Sequence, residues 1–406
     1  MRGRSDRSAR WAVLLAFTAV AGVSQMLWLN FAPLLSQVQR RYEVSELVAS
    51  TLVLVFPLLY VVLSLPAGAR VDRRGYRRSV AEGAVLQAAC ACLRVFDGRL
   101  ATLLAAQIGI AIAQPFIMNG VSKLVSDWFD EDEGALATGI ATIGMFLGMA
   151  LALAATPPLA EAFSLRGAMA LFALLAVGAA LAFLALARER HGGERQLARD
   201  GFRRLLGRDL ALVFAMAFLG LGYFNGLTTW LELIVAPNGV DAVHAGILGG
   251  VLIVGGIAGA AIVPALSDRL QARKPFLLTC TLGALATTWP LCTGREYGML
   301  VVLAAALGFS FLPAYAILLE MCVELSGRRC AGFATAVLML LGNAGGVVVI
   351  VAMQLAKGEG ASFRPAVVLL LGLLLLALAL AARVGETFHR RPRLAQAEGA
   401  AIEPFA

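Results

Sequence analysis

Twelve membrane-crossing helices in two pseudo-symmetric six-helix bundles, an all-α membrane architecture, follow from three features of the chain. Of its 406 residues, 60% are hydrophobic and only 15% charged, where soluble domains average roughly 45–50% and about 25%. The apolar residues gather in twelve long runs separated by charged punctuation. The longest internal polar stretch, Arg188 to Asp209, falls after the sixth run and divides the chain in two. This composition excludes a soluble enzyme, a disordered chain and a nucleic-acid binder, even though the formal net charge is +8.

The runs lie at about 11–35, 46–69, 79–96, 100–122, 134–156, 165–187, 209–233, 244–266, 276–293, 299–322, 331–354 and 365–382. Most exceed the ~18 residues that a spanning helix needs. Apolar runs continue to residue 382, so a signal peptide followed by a soluble domain does not fit. Orientation follows from the basic residues. With the N-terminus cytoplasmic, 26 of the 34 Lys and Arg fall on inside segments, as the positive-inside rule requires. Both termini are then cytoplasmic, and the basic balance reports topology. The six cysteines read as small core residues without metal-ligand spacing.

The halves repeat. Pro66–Arg78 and Pro264–Lys274 each close the second run of their half, and Asp72-Arg73 and Asp268-Arg269 stand 196 positions apart. The expected organisation is an N-terminal bundle (1–187), a cytoplasmic basic linker (188–208), a C-terminal bundle (209–383) and a cytoplasmic tail (384–406). Small-residue pairs support it: Gly144-xxx-Gly148 in span five, Gly255-xxx-Gly259 in span eight, Gly342-xxx-Gly346 in span eleven, and Ser64-xxx-Gly68 in span two. Such spacing lets helix backbones approach in lipid. Its recurrence at every third span places these helices at the seam between halves, with Gly222-xxx-Gly226 in span seven as the exception.

Gly68-x-x-x-Asp72-Arg73-x-Gly75-x-Arg77-Arg78 resembles the loop motif between helices two and three of the major facilitator superfamily. A basic loop alone accounts for the arginines but not for Asp72 and Gly75. The resemblance covers about residues 10–385 and implies the major facilitator fold. Gating would fall to this motif, to Asp268 and Arg269 in the second half, and to Glu320, read as the brace of a cytoplasmic arginine. A narrower set of residues is similar to the feline leukaemia virus subgroup C receptor-related transporters: Ala113-Gln114-x-Phe116-Ile117, Ser122-Lys123, Trp128-Phe129, Glu133, Ala137-Thr138-x-Ile140, Ala245-Gly246-Ile247 and Glu320-x-x-Val323-Glu324-Leu325. That family's first-helix Trp falls on Trp28 and its eleventh-helix Gln on Asn343, whereas its fifth-helix Gln meets Phe146. The resemblance implies transport of choline-like, ethanolamine or haem-related compounds.

Polar side chains within spans are costly unless they face the bundle interior, which makes each a candidate pathway residue. Span one offers Gln25, Trp28 and Asn30, and span four Gln107, Gln114 and Asn119. Span seven offers Tyr223, Asn225, Thr228, Thr229 and Glu232, and span eleven Asn343. The resemblance implies that spans one, four and seven line the cavity. The plainer reading of the amides is interhelical glue, and of Trp230 an interfacial belt residue. Trp28, with Tyr223 or Phe224, would offer a cation–π face to an ammonium group.

Other classes lack their parts. None of the three lysines lies in a phosphate-cradling loop, and neither His-Glu-x-x-His nor Gly-x-Ser-x-Gly is present. The chain is therefore expected to be a secondary transporter of a small organic solute, without enzyme activity, cofactor or metal. Its expected partners are that solute and the bilayer, with no nucleic acid, and it is expected to be monomeric in the plasma or bacterial inner membrane. The alternatives are a proton-coupled exporter of drugs or metabolites and a substrate-binding receptor on a transporter scaffold.

Overall fold

A computed structural model describes residues 2–189, 207–327, 330–357 and 362–388. Most of the expected linker, Arg328 with Arg329, and the tail from residue 389 lie outside the described residues. Among the described residues every regular element is helical. The α-helices are α1 (Arg2–Leu29), α2 (Leu35–Tyr42), α3 (Glu46–Arg74), α4 (Tyr76–Leu93), α5 (Leu100–Met118), α6 (Gly120–Trp128) and α7 (Glu131–Leu186). They continue with α8 (Arg208–Val235), α9 (Ala242–Arg269), α10 (Lys274–Thr293), α11 (Tyr297–Ser326), α12 (Ala331–Lys357) and α13 (Arg364–Arg383).

All twelve expected runs fall on helical segments, but among the described residues ten helices, not twelve, are long and apolar enough to cross a membrane. Both shortfalls have a physical cause. Leu136–Leu186 is one stretch of 51 residues, broken inside α7 at Ser164 (φ 66°, ψ 165°). The Ser164 hydroxyl accepts the Gly167 N–H at 3.4 Å, as a helix cap does, and runs five and six lie on either side. The third run, α4, has 18 residues that include Arg77, Arg78 and Glu82, too many charges for its length.

The described chain packs as two compact units. One comprises α1 to α7 together with Thr228–Val254; the other comprises α8 up to Leu227 and everything from Gly255 onward. In the first unit α1 lies along α7. A Cβ on Gly22 would stand 2.8 Å from the Gly144 carbonyl oxygen, and one on Gly148 would collide with the Gly22 carbonyl. In the same unit Gly246, Gly249 and Gly250 of α9 lie against Leu153 and Ala154 of α7. In the second unit Gly255 and Gly259 meet Ala305 and Phe309 of α11, and Gly342, Gly345 and Gly346 of α12 meet Leu221, Phe218 and Asn225 of α8. Leu210, Ile317, Met321 and Leu338 form its buried core.

The small-residue pairs themselves pack inside each half of the sequence, whereas the contact expected between spans five and eight is made by Gly246, Gly249 and Gly250 against Leu153 and Ala154. Gly144 and Gly148 serve span one, Gly255 and Gly259 serve span ten, and Gly342 and Gly346 serve span seven, each within its own half of the sequence. Gly222-xxx-Gly226 is no exception, because a Cβ on Gly222 would stand 3.0 Å from the Gly345 carbonyl oxygen. It is the facing strip of the same contact.

Candidate functional site

In the first unit, two side chains converge on one turn of α3. Trp28 Nε1 donates to the Val53 carbonyl at 3.3 Å, and Gln107 Nε2 donates to the adjacent Leu52 carbonyl at 2.7 Å. Phe56, one turn further along α3, holds its ring 6.3 Å from that of Trp28. Gln25, one turn before Trp28 on α1, donates Nε2 to Met118 Sδ of α5 at 3.3 Å. All four are buried. The amide oxygens of Gln25 and Gln107 are also buried and accept no hydrogen bond. Buried acceptors are normally satisfied, so these two oxygens stand out among the described residues.

The remaining first-unit candidates divide between lining and bracing. Gln114 is buried on α5, two turns from Gln107. Asn119 donates to the Ser64 carbonyl at 2.9 Å, joining α5 to α3 as interhelical glue. Asn30 is buried and accepts from Arg94 Nη2 at 2.7 Å. The Thr229 hydroxyl is buried without a hydrogen-bond partner. Glu232, 4% exposed, accepts the Ser36 N–H at 3.2 Å. Trp230 is fully buried, so it is a packing residue and not the interfacial one expected.

In the second unit the Tyr223 and Thr288 hydroxyls share a hydrogen bond at 2.6 Å. Phe311 of α11 lies 4.9 Å from the Tyr223 ring and stacks on Phe224 at 6.2 Å. Asn225 of α8 is buried against Gly346 of α12. Asn343 donates to the Met339 carbonyl one turn back at 2.9 Å. Sequence reasoning missed Phe56, Thr288 and Phe311. An aromatic in an apolar helix carries no polar signal, and Thr288 is one of several threonines on α10.

The charged ends carry a second pattern. Gly75 ends α3 at φ 83°, a conformation that suits glycine, and a Cβ there would strike Glu189. Gly68 faces Asn119, whose Nδ2 would lie 3.7 Å from its Cβ. Arg77 Nε donates to the Ala187 carbonyl at 2.7 Å, and the Tyr76 hydroxyl donates to the Arg188 carbonyl. Glu82 collects Arg70 at 2.7 Å, Arg78 at 3.5 Å and Arg74 at 3.8 Å. Asp72, Arg73 and Arg269 make no hydrogen bond or ion pair among the described residues.

Arg273 is the centre of the matching pattern in the second unit. It is fully buried and pairs with Asp268 at 2.7 Å, with Glu324 at 3.2 Å and with Glu320. Glu320 thus forms an ion pair with an arginine. Burial pushes the Arg273 guanidinium pKa down, but the three carboxylates outweigh it and hold the value above its ordinary range. Glu386, beyond α13, accepts the backbone N–H groups of Arg273, Lys274, Thr387 and Phe388 at 2.9–3.2 Å. Burial raises its carboxyl pKa, and the four N–H groups bring the net value below the ordinary one. Thr387 Oγ1 donates to Glu324 at 2.7 Å. The repeat extends to these groups. Arg77 and Arg273 are 196 positions apart, and Asp127 with Glu324 and Glu189 with Glu386 are each 197 apart. Extending the register by eye would have found Arg273. Among the described residues no group of three His, Cys, Asp or Glu is placed to hold a metal ion.

Comparison with known proteins places this geometry. Residues 13–350 match the model of the Major Facilitator Superfamily. The chain is 30% identical over 315 residues to a solute carrier family 49 member 4 homolog of Xenopus tropicalis, covering 69% of each chain. It is 24% identical over 361 residues to a choline/ethanolamine transporter of Danio rerio, covering 81% of this chain and 76% of that one. The crystal structure of a bacterial homolog of the human lysosomal transporter Spinster superposes with a TM-score of 0.71 at 15% identity, covering 96% of this chain and 98% of that one. The chain is an integral multi-pass membrane protein that belongs to the Major Facilitator Superfamily of transporters and, within it, to solute carrier family 49.

Proposed function

We infer that the chain carries a small organic cation of the choline or ethanolamine type across a membrane by alternating access. The observation that supports this reading best is the pairing of the Trp28 and Phe56 rings with the unpartnered amide oxygens of Gln25 and Gln107. An aromatic face attracts an alkylammonium group, and the oxygens accept from its N–H or O–H. The likeness to choline/ethanolamine transporters points the same way.

In this reading the moving bodies are residues 1–187 and 209–383 of a monomer, both termini lie in the cytoplasm, and the charged clusters around Glu82 and Arg273 brace the cytoplasmic ends. Binding of choline, ethanolamine, organic acids and sugars to purified protein, followed by thermal shift, tests the substrate class. Stabilisation by the two amines alone supports it, and stabilisation by acids or sugars in their place overturns it.

A further inference from the structure

The first span is interrupted, and a buried charge of opposite sign stands at each side of the interruption. Helix α1 ends at Leu29, the chain makes a turn and a 3-10 helix over Ala32–Leu34, and α2 starts at Leu35. Pro33 enforces the gap, since its nitrogen carries no hydrogen to continue the helical ladder. A gap of this kind leaves carbonyls unpaired at the end of α1 and N–H groups unpaired at the start of α2.

Arg94, only 1% exposed, reaches the first of these ends. Its Nη2 donates to Asn30 Oδ1 at 2.7 Å and its Nη1 to the Leu27 carbonyl at 3.4 Å. Its guanidinium lies 4.7 Å from the centre of the Phe31 ring. It has no carboxylate partner among the described residues. Glu232 reaches the second end, where its Oε2 accepts the N–H of Ser36. The charged groups facing Glu232 are Arg40 of α2 and Glu46 at the start of α3.

A buried charge without a counter-ion costs several kcal/mol. Arg94 is such a charge, Glu232 has Arg40 facing it, and both gain from the helix end they touch. The C-terminal end of a helix carries partial negative charge and its N-terminal end partial positive charge. The cation sits at the former and the anion at the latter. Arg94 and Glu232 come from helices α4 and α8, far apart in sequence, so span one is held at its break from two directions. Trp28 lies two residues before Asn30, so a shift of the break moves the indole.

We propose that Arg94 and Glu232 are positioning residues of the transport cycle, clasping the two helix ends at the break in span one, and that Glu232 releases Ser36 when the ends of spans one and seven part. The proposal rests on the transporter reading above, but its test does not need a substrate.

The test uses the full chain in proteoliposomes, with its native cysteines replaced and Leu35→Cys as reporter; Leu35 is fully buried next to Ser36. The rate of labelling by a membrane-impermeant maleimide reports parting of the clasp. Glu232→Gln and Arg94→Gln are expected to raise it about 3- to 30-fold, the ratio that a helix-end charge supplies. Glu232→Asp and Arg94→Lys should return it to within about threefold of the parent. Acidifying the reporter's side of the membrane should raise labelling in the parent relative to Glu232→Gln, whose rate should follow only the falling thiolate fraction. Equal rates in parent and Glu232→Gln, or the same rise in Glu232→Asp as in Glu232→Gln, overturn the proposal. Should Glu232→Gln not fold, Ser36→Cys with Glu232→Cys decides: a reversible disulfide that protects Leu35→Cys supports the clasp, and failure to cross-link overturns it. Altered labelling with no flux of any solute would sink the transporter reading and leave the clasp standing.

Discussion

Replacing Arg273 by alanine removes a guanidinium with no solvent exposure and strands Glu324, itself only 5% exposed, without its cation. Removing one member of a buried pair costs about 3–5 kcal/mol, because the remaining charge keeps its burial and loses its compensation. At about 2.1 cal/mol/K per residue, unfolding 406 residues carries an entropy near 0.85 kcal/mol/K. The expected drop in Tm is therefore about 4–6 °C. Glu324→Gln is the informative companion. It keeps an acceptor for Thr387 and leaves Arg273 with Glu320 and Asp268, so the drop should stay below about 2 °C. The assay is thermal unfolding of detergent-purified protein monitored by its own fluorescence, with Arg273→Lys between the two. A Tm for Arg273→Ala within 1 °C of the parent would refute the reasoning, since no buried charge would then have depended on Arg273.

Three further outcomes follow. The Glu386 carboxyl has a lowered pKa in the folded chain, so the stability it contributes is present above its ordinary pKa and lost as pH falls through the lowered value. The hydrogen-exchange protection of residues 384–388, taken relative to the intrinsic rate at each pH, should therefore hold at neutral pH, fall below about pH 4, and lose this dependence in Glu386→Gln. Gly148→Leu drives a side chain into the Gly22 carbonyl and should abolish monodisperse protein on gel filtration, whereas Gly178→Leu, with nothing within 4 Å of its Cβ, should behave like the parent. Trp28→Ala should weaken choline binding about 2- to 30-fold and Gln107→Ala about fivefold, with binding measured well below a Tm that the loss of the buried Trp28 ring also lowers.

The greasy runs and the asymmetry of arginines were readable from the chain because a bilayer imposes length and polarity on each helix separately. The same holds for Gly75, whose backbone conformation only glycine adopts cheaply, and for Glu320, whose need of a cation follows from its charge. Packing was less legible. Gly144 and Gly148 show that some helix approaches closely, but not which one, because a small residue carries no address. Trp230 was misread for a related reason: an indole near a span end suits an interface or a core equally, and only its neighbours decide. Phe56 and Phe311 gave no signal at all, since an aromatic ring in an apolar helix looks like every other core residue until a second ring lies beside it. Arg94 lies inside the third run and was not singled out, because its burial depends on Asn30 and Phe31 at the end of another span.

Counterflow of radiolabelled choline in proteoliposomes of the purified chain addresses the whole account at once. Vesicles preloaded with unlabelled choline should take up the label faster than empty ones, transiently above equilibrium, and Trp28→Ala should remove the overshoot. Saturable choline binding with no acceleration by preloading would mean a receptor and not a carrier.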